Sequence, residues 1–397
     1  MTDDERRSSA GLAVAWLGRA ACAVACVAVI GPPLADAVRG APMADFTVYW
    51  TAARLWLDGG DPTVFSALRA VAPEPVGGPF AYPVWTLLPF APWAALPFPL
   101  AKALWAGLTG LALASGAVAW AALAALADAP GDAGTTPVEG ATATPHMAPI
   151  AWAALGAKVA RPTVATFVCW WALRSTVTMG LLPGNLAALQ AAAVPWAALW
   201  AVRAPSRLGA LALITPFGLS RWAPLVWLPA WWPRDRSKAA AGLLVACVAA
   251  ALLVQLGLGL SDPWGGVIGK LTDALPLAVD HSLASALQQA GLSRATALVA
   301  SAGLAVMFAA SIGRSRWVDR SPDATVAWIA ATLLFLPRLP DYEWLVLPGI
   351  VAFTLLRVRT LHTLPLVVAL LLPDHGGRLL LISATSLWAL RKARAAA

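Results

Sequence analysis

An aspartate at the start of an aromatic helical pattern is the first residue whose surroundings suggest chemistry. Asp45 opens a run to Gly60 in which Phe46, Tyr49, Trp50, Ala53 and Leu57 recur at helical spacing, and Gly59-Gly60 ends the pattern. A carboxylate here, just past the first apolar run, could take a proton from a substrate hydroxyl. The same position suits an N-cap, where the side chain accepts backbone N–H bonds at the positive end of the helix dipole. The two roles are compatible.

A second set of polar residues is expected at the outer ends of apolar runs: Arg174, Asn185, Asp280, His281, Arg294, Arg338, Asp341, Tyr342, Glu343 and His375. Arginines on that side run against the positive-inside bias, so they invite a reading as ligands of an anionic group such as phosphate. Arg174 and Arg338 fit best, because each interrupts an apolar stretch. An Arg338–Asp341 ion pair is the plainer alternative. His281 beside Asp280 could carry a proton or contact phosphate, or simply be a solvated loop histidine.

Metal and nucleotide chemistry find little here. His146, His281, His362 and His375 are scattered, and Cys22, Cys26, Cys169 and Cys247 lie in apolar runs without ligand spacing. Asp45 and Asp280 could share a Mg²⁺ or Mn²⁺ ion, an alternative that stays open although no spacing supports it. There is no P-loop, dinucleotide fingerprint or nucleophile elbow. No cofactor is expected, so an activated substrate would have to arrive by another route, and a lipid-linked donor suits a membrane-embedded site.

The elements that must position these residues follow from composition. The chain has 397 residues, 59% hydrophobic and 12% charged, with a mean hydropathy of +0.71. A soluble domain carries roughly 25% charged residues, and this chain lacks the polar side chains to cover one. The 21 tryptophans exclude disorder. The net charge of +8 (28 basic against 20 acidic residues) comes from short clusters between apolar stretches, which fits membrane topology better than nucleic acid.

The expectation is an all-α polytopic membrane protein, a single integral unit over 1–397. Apolar runs at 11–35, 83–100, 101–126, 147–160, 162–180, 185–202, 239–260, 293–313, 323–337, 343–357, 361–373 and 377–390 give about twelve spans of a hydrocarbon layer roughly 30 Å thick. Both termini are expected in the cytoplasm of a plasma-membrane protein, with the site facing outside. Residues 208–232 are flanked by basic clusters on both sides, and Thr215-Pro216-Phe217-Gly218 suggests a broken-helix hairpin there. Residues 36–82 read as an external loop holding an amphipathic interfacial helix, 127–146 as a flexible external loop and 261–292 as a second external loop.

In order along the chain, these motifs resemble glycosyltransferase family 87, of the GT-C class of polyprenyl-phosphate-dependent enzymes of actinobacteria. The family's D-x-x-x-Y/W-x-x-A-x-x-x-L-x-G helix is matched by Asp45 to Gly59, with Tyr49, Ala52 and Ala53. Its Y-P-P-like entry is matched by Ala81-Tyr82-Pro83, and its G-Q-x-N segment in part by Pro183-Gly184-Asn185-Leu186. A K-P-like break corresponds to Thr215-Pro216-Phe217-Gly218, an N-Q-S-L-like segment to Asp280-His281-Ser282-Leu283-Ala284-Ser285-Ala286-Leu287, and a late S-W-x-H-like segment to Arg338-Leu339-Pro340-Asp341-Tyr342-Glu343-Trp344. The chain departs from the family at the missing glutamine near Asn185, at Thr215 in place of lysine, and at Asp280-His281.

The resemblance implies a GT-C-like helical bundle that transfers mannose or arabinofuranose, with inversion, from a polyprenyl-phosphate donor. The acceptor would be an envelope glycolipid or polysaccharide on the outer face. The family's external aspartate, its proposed general base, maps onto Asp45. Tyr49, Arg54, Tyr82, Arg174, Asn185, Asp280, His281, Arg338, Asp341 and Tyr342 are the substrate-binding candidates. Two other functions share this composition: a transporter or flippase of a lipid-linked intermediate, for which inverted repeats are expected and none is found, and a non-catalytic scaffold in envelope synthesis.

Overall fold

The computed structural model describes residues 24, 27–76, 80, 82–127, 165, 168–203, 208–220, 237–257, 282–313, 322–335 and 345–357. Among these residues the chain is all helix, turn and loop, with no strand. In chain order the helices are α1 (Val27–Val38), α2 (Ala44–Leu57), α3 (Phe65–Val71), α4 (Leu87–Ala94) and α5 (Phe98–Ala127). They continue with α6 (Arg174–Leu181), α7 (Ala187–Arg203), α8 (Leu208–Ser220) and α9 (Ser237–Gly257). The last are α10 (Leu283–Gln289), α11 (Arg294–Gly313), α12 (Pro322–Phe335) and α13 (Leu347–Arg357).

By length and composition, one helix among the described residues can cross a membrane: Phe98–Ala124, within α5. Val27–Val38, Lys238–Val254, Arg294–Met307 and Leu347–Leu356 are shorter apolar helices. The run expected to span over 83–100 does not form one helix. It holds a 3-10 turn at Val84–Thr86 and the eight-residue α4, which at 1.5 Å per residue covers only about 12 Å. Pro97 is the reason: its ring disfavours the helical region for Leu96, so the chain breaks there and restarts as α5. Pro99, in the first turn of α5, costs nothing because its missing N–H would have had no partner.

The hairpin expected over 208–232 does not turn at Thr215–Gly218, since α8 stays helical from Leu208 to Ser220. Pro216 is carried within the helix, and Thr215 Oγ1 donates 2.7 Å back to the Leu211 carbonyl one turn earlier. The remainder of that segment lies outside the described residues, as do 128–160 and 358–397.

Two hydrophobic clusters share α5. Its C-terminal half packs with α1, α6, α7, α8, α12 and α13 through Trp120, Leu123, Val194, Ile214, Ile329 and Phe353. Its N-terminal half joins α2 and α4 in a cluster dominated by Phe46, Tyr49, Phe90, Phe98 and Trp105. The α5–α7 contact is close because Gly116 faces Ala192; a Cβ on Gly116 would stand 2.8 Å from the Ala192 Cα. Small residues that let backbones approach are the usual basis of helix packing in lipid.

Candidate functional site

The site begins with a backbone problem. A helix start leaves N–H groups without intrahelical partners, and the N-cap of α2 is Met43, which supplies no side-chain acceptor. The N–H groups of Asp45 and Phe46 instead both donate to the Pro183 carbonyl, at 2.8 and 3.1 Å. Asp45 is therefore not the cap expected from its position. It lies in the first turn, and its carboxylate is turned to another partner.

That partner is Asn185. The turn between α6 and α7 reverses at Gly184, whose φ of +70° suits glycine, and whose N–H donates to the Leu181 carbonyl at 2.9 Å. A Cβ at Gly184 would stand 2.7 Å from both Met43 Cε and Phe46 Cβ, so the turn lies directly on the start of α2. The Gly184 carbonyl accepts from Trp105 Nε1 of α5 at 2.8 Å. With both carbonyls of the turn held, Asn185 enters α7 fully buried. Its Oδ1 accepts from the Ala187 N–H at 2.9 Å, which settles the amide orientation. Its Nδ2 therefore faces outward and donates to Asp45 Oδ2 at 2.6 Å and to the Tyr82 hydroxyl at 3.2 Å.

The result is a carboxylate, an amide and a phenol from three distant segments, with Asp45 half-buried. Asp45 Oδ2 is occupied by Asn185. Oδ1 has no hydrogen-bond partner among the described residues. Tyr49, one turn along α2, is fully buried beneath this group. Its ring meets Tyr82 edge-on at 4.9 Å and stacks on Phe90 at 4.6 Å. Its ring packs between Tyr82 and Phe90, away from solvent.

The other flank of α2 is polar and was not expected from the sequence. Lys102 Nζ, on α5, lies 2.6 Å from Glu74 Oε1, with the lysine side chain 6% and the glutamate 20% exposed. Glu74 Oε2 accepts from Thr47 Oγ1 at 3.2 Å, and the same hydroxyl reaches the Met43 carbonyl at 3.0 Å. The available signal was a lone lysine in an apolar helix, which needs an acid to accompany it, and the rigid Pro73-Glu74-Pro75 sequence that could deliver one. With Phe46 and Tyr49 buried on one side and Thr47 and Thr51 on another, α2 is more enclosed than the expected interfacial helix.

The remaining candidates divide. Arg54 is not brought to Asp45: nine residues further along α2 is about 13.5 Å and half a turn away, and it is exposed and paired with Asp58 at 3.0 Å. Arg174 is exposed at the start of α6, its guanidinium 5.7 Å from the Trp171 ring centroid and bonded to the Trp171 carbonyl at 3.5 Å. Asp280, His281, Arg338, Asp341 and Tyr342 lie outside the described residues. Trp50 serves packing, its Nε1 donating to the Trp93 carbonyl at 2.9 Å. No group of three or more His, Cys, Asp or Glu side chains that could hold a metal ion occurs among the described residues. Comparison with known proteins finds no matching family model, no matching curated protein and no matching solved structure.

Proposed function

We propose that this chain is a membrane glycosyltransferase of the GT-C kind, with Asp45 as its general base. It moves mannose or arabinofuranose from a polyprenyl-phosphate donor to a hydroxyl of an envelope glycolipid or polysaccharide. In this reading about twelve spans cross the plasma membrane, with both termini in the cytoplasm and Asp45 facing outward. The observation that carries the reading is the 2.6 Å bond between Asn185 Nδ2 and Asp45 Oδ2, which joins two separately chosen motif residues 140 positions apart.

The chemistry follows from that bond. Asn185 can only donate to Oδ2, so Oδ1 is the atom that takes the acceptor's proton. As the proton leaves, the acceptor oxygen attacks the anomeric carbon from the face opposite the phosphate. The sugar–phosphate bond breaks, its electron pair goes to polyprenyl phosphate, and the configuration inverts. Asn185, fixed by the Ala187 N–H and the turn at Gly184, holds the carboxylate in one rotamer, so no reorganisation is needed at the moment of transfer.

The test uses wild type, Asp45→Asn and Asn185→Ala in liposomes with radiolabelled polyprenyl-phosphate mannose or arabinose and an envelope lipid extract. Asp45→Asn keeps a side chain that can still accept from Asn185 but is no base, so it should fold and lose about a hundredfold or more of product formation. Asn185→Ala should lower kcat with little change in KM. Labelled lipid crossing the bilayer equally with wild type and Asp45→Asn, without a new glycosidic bond, would replace the transferase by a transporter.

A further inference from the structure

We propose that the groove between α7 and α8 is a binding site for a net-anionic membrane phospholipid, its apolar chain lying against two tryptophans and its phosphate at Arg203. The groove is about 480 Å³ and is lined by Trp196, Leu199, Trp200, Arg203 and Leu213. The four α7 residues stand at i, i+3, i+4 and i+7, a single stripe two turns long, about 10 Å from end to end. Trp196 and Trp200 are 39% and 51% exposed, too much for residues packed in a core.

Both indoles are nevertheless held in place. Trp196 Nε1 donates to Ser115 Oγ of α5 at 3.3 Å. Trp200 lies on Gly209 of α8, where a Cβ would stand 2.5 Å from Trp200 Cε2. Fixed, exposed aromatic walls form a surface ready for an apolar chain without first having to be ordered. At the end of the stripe, Arg203 is exposed and has no carboxylate partner among the described residues. An apolar channel lined at one end by a guanidinium with no carboxylate partner among the described residues is complementary to an amphiphile with an anionic head. It suits a protein segment less well, since that would have to supply both an apolar stripe and an acid.

The position is separate from the Asp45 site. Asn185 leads into the N-terminus of α7 and Arg203 ends it, so the 17-residue helix separates them by about 25 Å. The proposal rests on the membrane reading above, in which the Arg203 end faces the cytoplasm.

The experiment uses the full chain reconstituted in vesicles of phosphatidylcholine with added phosphatidylglycerol, then extracted in mild detergent, with retained lipids counted by native mass spectrometry. Wild type should keep phosphatidylglycerol in preference to phosphatidylcholine. Arg203→Gln should lose about tenfold of that preference, the low end of a charge-assisted hydrogen bond, while Arg203→Lys keeps part of it. Gly209→Ala, which pushes Trp200 from its seat, should lower retention of both lipids without changing their ratio. Equal retention of the two lipids by wild type, or an unchanged ratio in Arg203→Gln, overturns the site. Displacement of phosphatidylglycerol by excess inorganic phosphate overturns its assignment to a lipid. A chain that an alkaline wash strips from the vesicles overturns the membrane reading itself, a result distinguishable from insertion without lipid preference.

Discussion

The start of α2 and the outward faces of α9 and α11 are both built largely from apolar residues, yet they are held in opposite ways. Around α2, aromatic rings meet at 4.6 to 6.4 Å, and side chains bond across segments 28, 79 and 140 residues apart. On α9, Val245, Leu253 and Leu256 are 67–77% exposed, and on α11 Val299, Val306 and Met307 are 60–73% exposed. The contrast shows that in a chain this apolar, hydrophobicity does not select a structure. Lipid would satisfy Leu253 as well as a neighbouring helix does. The few polar groups placed where water is scarce decide which segments meet, because each has to find a particular partner.

The most severe way to probe this contrast is Asp45→Asn, expected to leave the helices intact while lowering transfer about 10²- to 10⁴-fold, the usual contribution of a general base. Product formation in liposomes reads the loss, and circular dichroism reads the fold. Lys102→Met comes next. Leaving Glu74 buried without its cation should cost about 3–5 kcal/mol, and Lys102→Met with Glu74→Gln should recover most of it. Thermal unfolding in detergent measures both; equal Tm values for the single and double variants would mean that the pair does not hold α2.

Trp105→Phe keeps the ring among Phe46, Phe90 and Trp93 but removes the donor to the Gly184 carbonyl. Its expected cost is about 1–3 kcal/mol, read as a lower Tm together with reduced transfer, because the turn carrying Asn185 loosens. The smallest effect belongs to the other region. Leu253→Ala on α9 should change stability by no more than about 0.5 kcal/mol. A large drop in Tm there would show that this face is covered by protein and erase the contrast.

The same contrast explains what the sequence revealed. Helical structure and the α2 pattern were legible because composition and a 3.6-residue period survive in any context. Asp45 and Asn185 were each picked out, but not their bond, since nothing local links residues 140 positions apart; the nearest clue was Pro183-Gly184 before Asn185. Arg54 shares the helix of Asp45 but not its face, and the i,i+4 spacing to Asp58 accounts for the ion pair it makes. The run over 83–100 hid its break because apolarity is continuous through Leu96-Pro97, whereas Pro216 suggested a break that α8 does not make. The Glu74–Lys102 pair is not legible because Glu74 sits between two prolines of a loop and Lys102 lies alone in an apolar helix 28 positions on, and only packing brings them together.

The hooking of the α2 start onto the Pro183 carbonyl has a consequence for biosynthesis. A ribosome adds roughly 5–20 residues per second, so α2 emerges many seconds before its partner turn exists. During that interval the Asp45 and Phe46 N–H groups and the Asp45 carboxylate have neither Pro183 nor Asn185 to receive them. Maturation of the site is therefore a late event, completed when α7 arrives, and a nascent chain released before Asn185 carries the aspartate without the side chain that orients it.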